Sequence, residues 1–337
     1  MARSNRPDVA VVGATGAAGG TLVRILGERA FPASALHLYA SARSAGRRVP
    51  THLGDIEVRE LTASALDGAD IVFFAAGAGT SRRHAPGVAA SGGVAVDKSS
   101  AYRLDPDVPL VVPEVNPDTL GLHHGIVANP NCVAIPLSIV LAPVQRAYGL
   151  RHVTVATYQA ASGAGLGLAD ELEAQARDDA AGTSPVARVY PHVLHANVVP
   201  GGWTMQGDDT EEEIKVIAET RRVLAAPGLR LSVTTVRVPV TVGHSAAVWA
   251  ELESSVDPDD VRTLLRESPG IVVVDDPAAQ RYPMPRAVAG SDDVQVGRIR
   301  RDTGCENGIA MFFSADNLRK GAATNAVQIA ELLLRDR

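Results

Sequence analysis

Cys132 is the residue best placed for covalent chemistry. It closes the run Asn129-Pro130-Asn131-Cys132 and is followed by an apolar helical pattern over residues 135–141. A thiol at a helix N-terminus has its thiolate favoured by unpaired N–H groups and the local dipole, the condition a nucleophile needs. On residue type alone a lone cysteine is more often a small buried hydrophobe. Cys305, between Gly304 and Glu306, has no comparable setting and reads as structural. Gly243-His244-Ser245 ends a β-rich run, residues 231–242, that also carries Arg237. On one regular strand these two side chains would point to opposite faces, so they reach one cleft only if a bulge or bend intervenes. By itself His244 reads as a satisfied structural histidine. Thr210 and Glu213 have the spacing of a capping box opening a helix. On that helix Glu212 and Lys215 are i,i+3 neighbours, the spacing of an exposed ion pair.

A second chemistry is suggested by Gly13-x-x-Gly16-x-x-Gly19, set between the apolar strand Asp8–Val12 and a helical pattern at Leu22, Val23, Ile25 and Leu26. Glycines there allow the tight turn and let backbone N–H groups approach a pyrophosphate at the helix N-terminus. The next strand, residues 36–40, ends in Ser41-Ala42-Arg43-Ser44-Ala45-Gly46-Arg47-Arg48. An NAD site usually places an acid there for the ribose diol. Hydroxyls and guanidiniums without an acid suit a 2′-phosphate, hence NADP. The plainer alternative is a solvated basic loop beside a structural glycine turn.

These groups need elements to hold them. Strands at residues 8–12, 36–40, 71–75, 94–96 and 110–112 alternate with helical patterns. That order implies right-handed crossovers and a Rossmann-type, doubly wound parallel sheet. From about residue 150, β-rich runs at 152–159, 231–242 and 246–252 are separated by helical segments at 167–178 and 211–224. This mixture predicts an α+β domain with a mostly antiparallel sheet. Residues 317–337 read as one amphipathic helix packing back on the first domain. The expected domains are 1–131, completed by the helix 317–337, and 132–316.

The 337 residues are 46% hydrophobic but only 4% aromatic, as in the small-aliphatic cores of parallel α/β sheets. A net charge of −6 offers no general field for nucleic acid or an anionic membrane. No apolar stretch approaches the roughly 20 residues of a spanning helix, and the first eight residues lack a signal-peptide apolar region. Two cysteines far apart argue against a disulfide framework or a zinc site, so no metal is expected and a reducing cytoplasm is the natural compartment.

These signals occur together in an order that resembles the aspartate-β-semialdehyde dehydrogenases. The resemblance covers Val9 to Leu334 and rests on VVGATGAAG, YASARSAG, DKSSAYRLDPDVPLVVPEVNP, NPNC, TYQAASGAG, EEEIK, VRVPVTVGHS, GRIRRD and DNLRKGAATNAVQIAE. It implies reversible reduction of L-4-aspartyl phosphate by NADPH to aspartate semialdehyde and phosphate, a step toward lysine, methionine and threonine. By similarity Cys132 is the nucleophile that forms an acyl-thioester, His244 the general acid/base and Gln159 the residue orienting the reacting carbonyl. Arg237 pairs with the substrate carboxylate and Glu212 with its amino group; Arg103 and Lys215 hold phosphate, with Asn131 also at the substrate. Gly13, Thr15, Gly16, Ala17, Ala18, Ser41, Arg43, Ser44, Ser162, Gly163 and Asn317 match cofactor-lining positions. A homodimer or homotetramer is implied, with the second domain serving dimerisation. Three departures stand out: Lys98 in DKSSA, Val133-Ala134 after the cysteine, and Gly201-Gly202-Trp203 after Pro200. The rival readings are an N-acetyl-γ-glutamyl-phosphate reductase, which usually carries NPGC, and a silent NADP-binding relative, which would be expected to lack the cysteine or the histidine.

Overall fold

The first apolar run becomes β1 (Asp8–Val12), buried from Val9 to Val12 because it is the central strand of a sheet covered on both faces. The computed structural model describes residues 6–335; residues 1–5 of the N-terminal segment and the last two of the C-terminal helical pattern lie outside the described residues. The chain divides into two units, Met1–Asn131 with Ala322–Arg337, and Cys132–Gly321.

The first unit continues through α1 (Ala17–Glu28), β2 (Ala35–Ala40), β3 (Arg48–Thr51), β4 (Gly54–Glu60), β5 (Ile71–Phe74), α2 (Ala78–Ala90), β6 (Val94–Asp97) and β7 (Ile126–Ala128). Its sheet runs β3-β4-β2-β1-β5-β6-β7, parallel throughout except the β3–β4 edge pair. Leu22, Ile25 and Leu26 of α1 pack on one face against Val9, Val11 and Phe73. Ala85 and Val88 of α2 pack on the other against Val72 and Phe74. Each large aliphatic buried in this way contributes about 1.5–3 kcal/mol. The expected strand at 110–112 does not form. The Asn116 side chain accepts from Val112 N at 2.8 Å and donates to Leu110 O at 2.9 Å, which leaves a single parallel bridge from Leu110 to Ala128.

The second unit contains α3 (Ala134–Tyr148), β8 (Leu150–Tyr158), α4 (Leu166–Ala180), the short pair β9 (Met205–Gln206) and β10 (Asp209–Thr210), α5 (Glu211–Val223), β11 (Arg230–Thr234) and β12 (His244–Leu252). It closes with α6 (Pro258–Arg266), β13 (Ile271–Val273), α7 (Pro285–Val288), β14 (Val294–Arg301) and β15 (Gly308–Ala315). The six-stranded sheet runs β11-β8-β12-β15-β14-β13, antiparallel in its three central pairs and parallel at both edges. One face carries Ala156, Tyr158, Ala247, Trp249 and Phe312, all at least partly exposed, with the Tyr158 and Phe312 rings 5.9 Å apart.

The expected long strand over 231–242 is broken. β11 ends at Thr234, and only an isolated bridge from Arg237 to Gln159 pairs the chain with the end of β8 before β12 begins at His244. Pro239 has no N–H to donate to a ladder. At Gly243, with φ +101, an added Cβ would lie 2.8 Å from the Pro285 carbonyl oxygen, so the turn into β12 requires glycine. The tail also differs from one helix starting at 317. The Asp316 carboxylate accepts from Leu318 N and Arg319 N, a π-helical turn follows at Arg319–Ala323, and only then does α8 (Thr324–Arg335) begin. Residues 317–321 therefore fall in the second unit. α8 buries Val327, Ile329 and Leu333, and its Glu331 pairs with Arg29 next to the end of α1 at 2.7 Å.

Among the described residues no helix is long and apolar enough to cross a membrane, and no group of side chains forms a metal site.

Candidate active site

β8 runs on in extended form through Gln159 and Ala160 into a 3-10 turn, Ala161–Ala164. Gln159 N donates to Val236 O at 2.7 Å and Val238 N donates to Gln159 O at 3.1 Å, which lays Arg237 beside Gln159 in one parallel bridge. The irregular passage that follows delivers His244 to the same place. Arg237 Nη1 donates to the Ala160 carbonyl at 2.7 Å, and Ala160 N–H donates to His244 Nδ1 at 3.0 Å. One backbone residue thus orients both side chains.

His244 is buried, and desolvation, reinforced by the Arg237 charge, holds it well below the ordinary histidine range. The ring is therefore neutral near pH 7. Because Nδ1 accepts an N–H, the hydrogen-bond network assigns the ring proton to Nε2, which makes that atom a donor. Among the described residues His244 Nε2 and Arg237 Nε are both buried without a hydrogen-bond partner. A Cβ added at Gly163 would lie 2.9 Å from His244 Nε2 and 3.0 Å from Arg237 Nη1, so only glycine leaves the space beside both open. Unpaired buried donors cost stability, and each marks a place where an electron-rich ligand can bind.

Gln159 is held at both ends of its amide. Its Oε1 accepts from Thr157 Oγ1 at 3.0 Å and its Nε2 donates to Glu212 Oε1 at 3.1 Å. Glu212 sits in the first turn of α5, whose entry is the reciprocal capping box Thr210–Glu213. Burial alone would raise the Glu213 pKa, but N–H and hydroxyl donors from Thr210 and Thr235 outweigh it and hold the carboxylate below its usual range. The exposed Glu212–Lys215 pair suggested by spacing gives way to another arrangement. Lys215 pairs with Glu211 at 3.3 Å, one turn away, while Glu212 turns inward to Gln159.

Cys132 stands one residue before Val133, the N-cap of α3, whose first turn carries no acid to oppose a thiolate. Its carbonyl lies against Gly321, where an added Cβ would meet it at 3.1 Å. On that same segment Asn317 accepts from Gly243 N at 2.9 Å and donates to Ser162 Oγ at 3.0 Å, tying the neighbours of His244 and Gly163 together. Neither cysteine is in a disulfide.

In the first unit Gly16 is the N-cap of α1, which opens with Ala17 and Ala18, and Gly16 N donates to Gly13 O at 3.0 Å. A Cβ on Gly19 would fall 2.0 Å from Gly13 O, so the loop closes onto the helix only with glycine there. Thr15 Oγ1 donates to Ser44 Oγ at 3.2 Å, joining this loop to the 3-10 turn Ala42–Ser44, capped by Ser41 and carrying an exposed Arg43. Helix N–H groups, two hydroxyls and an unopposed guanidinium are the donor set a phosphorylated dinucleotide needs. Arg103 is fixed by carbonyls, Nε to Asn129 at 3.0 Å and Nη2 to Lys98. The buried Asp97 accepts from Ser81 and Ser99 and pins the strand end leading to it; Asn131 is buried as well.

Three participants carried no site signal in the sequence. Ala160 acts through its backbone, and Thr157 acts by orienting Gln159. Trp203, one of the three departures from the family pattern, covers the Arg237 guanidinium at 4.6 Å, with Tyr190 at 5.9 Å.

Residues 8–123 match the family model described as semialdehyde dehydrogenase, NAD binding domain, and residues 141–320 match semialdehyde dehydrogenase, dimerisation domain. An aspartate-semialdehyde dehydrogenase of Aquifex aeolicus is 45% identical over 97% of this chain and 98% of its own. One from Bacillus subtilis is 41% identical over 96% of each chain. The crystal structure of aspartate semialdehyde dehydrogenase II from Vibrio cholerae, complexed with ASA, has a TM-score of 0.95 at 38% identity, covering 99% of each chain. A Candida albicans aspartate semialdehyde dehydrogenase with NADP gives 0.76 at 25% identity, covering 97% of this chain and 98% of that one. With both units matched and near-complete coverage, the chain belongs to the aspartate-semialdehyde dehydrogenase family.

Proposed function

We propose that this protein catalyses the reversible reductive dephosphorylation of L-4-aspartyl phosphate to L-aspartate 4-semialdehyde and phosphate, with NADPH as reductant. The observation that carries this reading is the pair of buried, unpartnered donors, Arg237 Nε and His244 Nε2, set around Ala160 and Gly163. In the reductive direction the Cys132 thiolate attacks the acyl phosphate carbon. Phosphate leaves with the electron pair of the C–O bond, and a thioester remains on sulfur. The residues assigned to the cofactor would hold NADPH, which would supply the hydride that reduces the thioester. The alkoxide that develops meets His244 Nε2–H as a hydrogen-bond donor, and its collapse breaks the C–S bond, regenerating thiolate and releasing the aldehyde. Ala160 N–H donates to Nδ1, which supports Nε2–H as the donor in the acid half of the acid/base role assigned to His244.

Arg237 has Nη1 committed to Ala160 O, so its Nε edge is the one offered to the substrate carboxylate. Glu212, aligned by Gln159, receives the substrate ammonium, and Gln159 orients the reacting carbonyl. Arg103, Asn131 and Lys215 are assigned to substrate and its phosphate. Gly13, Thr15, Gly16, Ala17 and Ala18 are assigned to the pyrophosphate, and Ser41, Arg43 and Ser44 to a 2′-phosphate. Ser162, Gly163 and Asn317 are likewise assigned to the cofactor. The partly exposed apolar face bearing Tyr158, Trp249 and Phe312 supports assembly as a homodimer, or a homotetramer built from it. A nucleophilic thiol outside any disulfide supports a reducing cytoplasm.

The test is phosphate-dependent reduction of NADP with L-aspartate 4-semialdehyde, run beside N-acetyl-L-glutamate 5-semialdehyde. Turnover of the first and not the second is expected. Preference for the acetylated aldehyde, or tight NADP binding without turnover of either, overturns the reading.

A further inference from the structure

Arg237 is 2% exposed, and among the described residues its side chain makes a single hydrogen bond, from Nη1 to the Ala160 carbonyl. Among the described residues no carboxylate pairs with it. A buried guanidinium without an anion is costly unless something else accommodates its charge. Here that is done by aromatic rings: Trp203 lies 4.6 Å and Tyr190 5.9 Å from the guanidinium carbon. A ring over the guanidinium favours the cation without taking up its N–H edge. A glutamate in the same place would favour the charge and occupy the edge as well.

The rings are themselves held. Tyr190 Oη donates to Gly201 O at 2.8 Å, and a Cβ on Gly202 would fall 1.9 Å from that hydroxyl, so the chain leading into Trp203 passes directly under the tyrosine. Two buried side chains of α4 fix the loop from which Tyr190 comes. Glu171 accepts from the backbone N–H of Arg188, Val189 and Tyr190, and Gln175 accepts from those of Leu194 and His195 while donating to Val186 O. An otherwise irregular segment is thereby given one shape.

We propose that Trp203, backed by Tyr190, is a positioning and specificity-determining residue: it holds the Arg237 edge toward the substrate and makes the site selective for an aldehyde bearing an α-carboxylate. This rests on the assignment of Arg237 to that carboxylate. The Gly201-Gly202-Trp203 departure is then a functional substitution, with the two glycines giving the chain room beneath Tyr190.

The experiment compares L-aspartate 4-semialdehyde with 3-aminopropanal, the same aldehyde without the carboxylate, in NADP reduction with phosphate. Trp203→Leu keeps apolar bulk and loses the π face, whereas Trp203→Phe keeps a ring. Trp203→Leu should raise KM for the semialdehyde about tenfold, the scale of a desolvated cation–π contact, and leave kcat and the reaction of 3-aminopropanal nearly unchanged. Trp203→Phe should recover most of the loss. Equal effects on both aldehydes, or no difference between Leu and Phe, overturn the proposal. The protein has two tryptophans, so in a Trp249→Phe variant emission reports Trp203 alone in an otherwise unaltered site. Semialdehyde should change that emission and 3-aminopropanal should not; identical responses overturn the proposal even if Trp203→Leu fails to fold. Absence of any semialdehyde turnover by the parent protein would instead reject the proposed function, a separate outcome.

Discussion

Arg237→Lys keeps the positive charge and removes the fork. In the native side chain Nη1 is committed to Ala160 O at 2.7 Å while Nε is left for substrate. A lysine presents one nitrogen, which can serve the carbonyl or the carboxylate from a single point but cannot offer a parallel pair of bonds. One charge-assisted hydrogen bond to the substrate is therefore lost, worth about 1.5–3 kcal/mol. At about 1.4 kcal/mol per decade, KM for the semialdehyde should rise roughly tenfold to hundredfold. KM for phosphate and for NADP should change little, because those ligands are assigned to other residues. kcat should fall less than KM rises, to the extent that a looser substrate reaches fewer reactive orientations. The assay is initial-rate kinetics with each of the three substrates varied in turn, alongside thermal unfolding to establish that the fold persists. An unchanged semialdehyde KM, or a rise confined to phosphate, would refute the carboxylate assignment.

Cys132→Ala should abolish turnover with NADP binding nearly intact, and iodoacetamide inactivation should follow alkylation of Cys132 in peptide mass spectra; loss of activity that tracks Cys305 would sink the nucleophile assignment. Arg43→Ala should raise KM for NADP about tenfold relative to that for NAD, on the scale of a charge-assisted contact to phosphate, and equal responses of both cofactors would remove the 2′-phosphate role. His244 is held below its unfolded value of 6.5, so the unfolded chain takes up a proton that the folded chain refuses. Its contribution to stability is complete above that pH and is lost on acidification, at about 1.4 kcal/mol per pH unit until the folded group titrates. Urea unfolding should change little between pH 7.5 and 6.5 and approach that slope below pH 6.5, and His244→Asn should remove that part of the slope; an unchanged slope would mean the ring is not buried neutral.

Much of this was legible from residues whose partners lie close by in the chain. The capping box at Thr210 and Glu213 is a three-residue relationship, and both of its hydrogen bonds form. The glycine loop leading from β1 into α1 is likewise local, since strand burial, turn and helix start all depend on adjacent residues. Alternation of short strands and helices was enough for a doubly wound parallel sheet because right-handed crossovers leave few other ways to pack such a chain. The tertiary structure decided what local patterns could not. Apolar runs at 110–112 and 231–242 read as strands, yet Asn116 takes backbone groups of the first, and the second keeps its strand only to Thr234, with Pro239 and Gly243 in the irregular passage that follows. The meeting of Arg237 and His244 was equally hidden. Each binds Ala160 across sequence separations of 77 and 84 residues, and the group that joins them is a peptide unit common to every residue type. A backbone hub leaves no mark on the amino acid that supplies it. Only folding shows which carbonyl and which N–H two distant side chains will share.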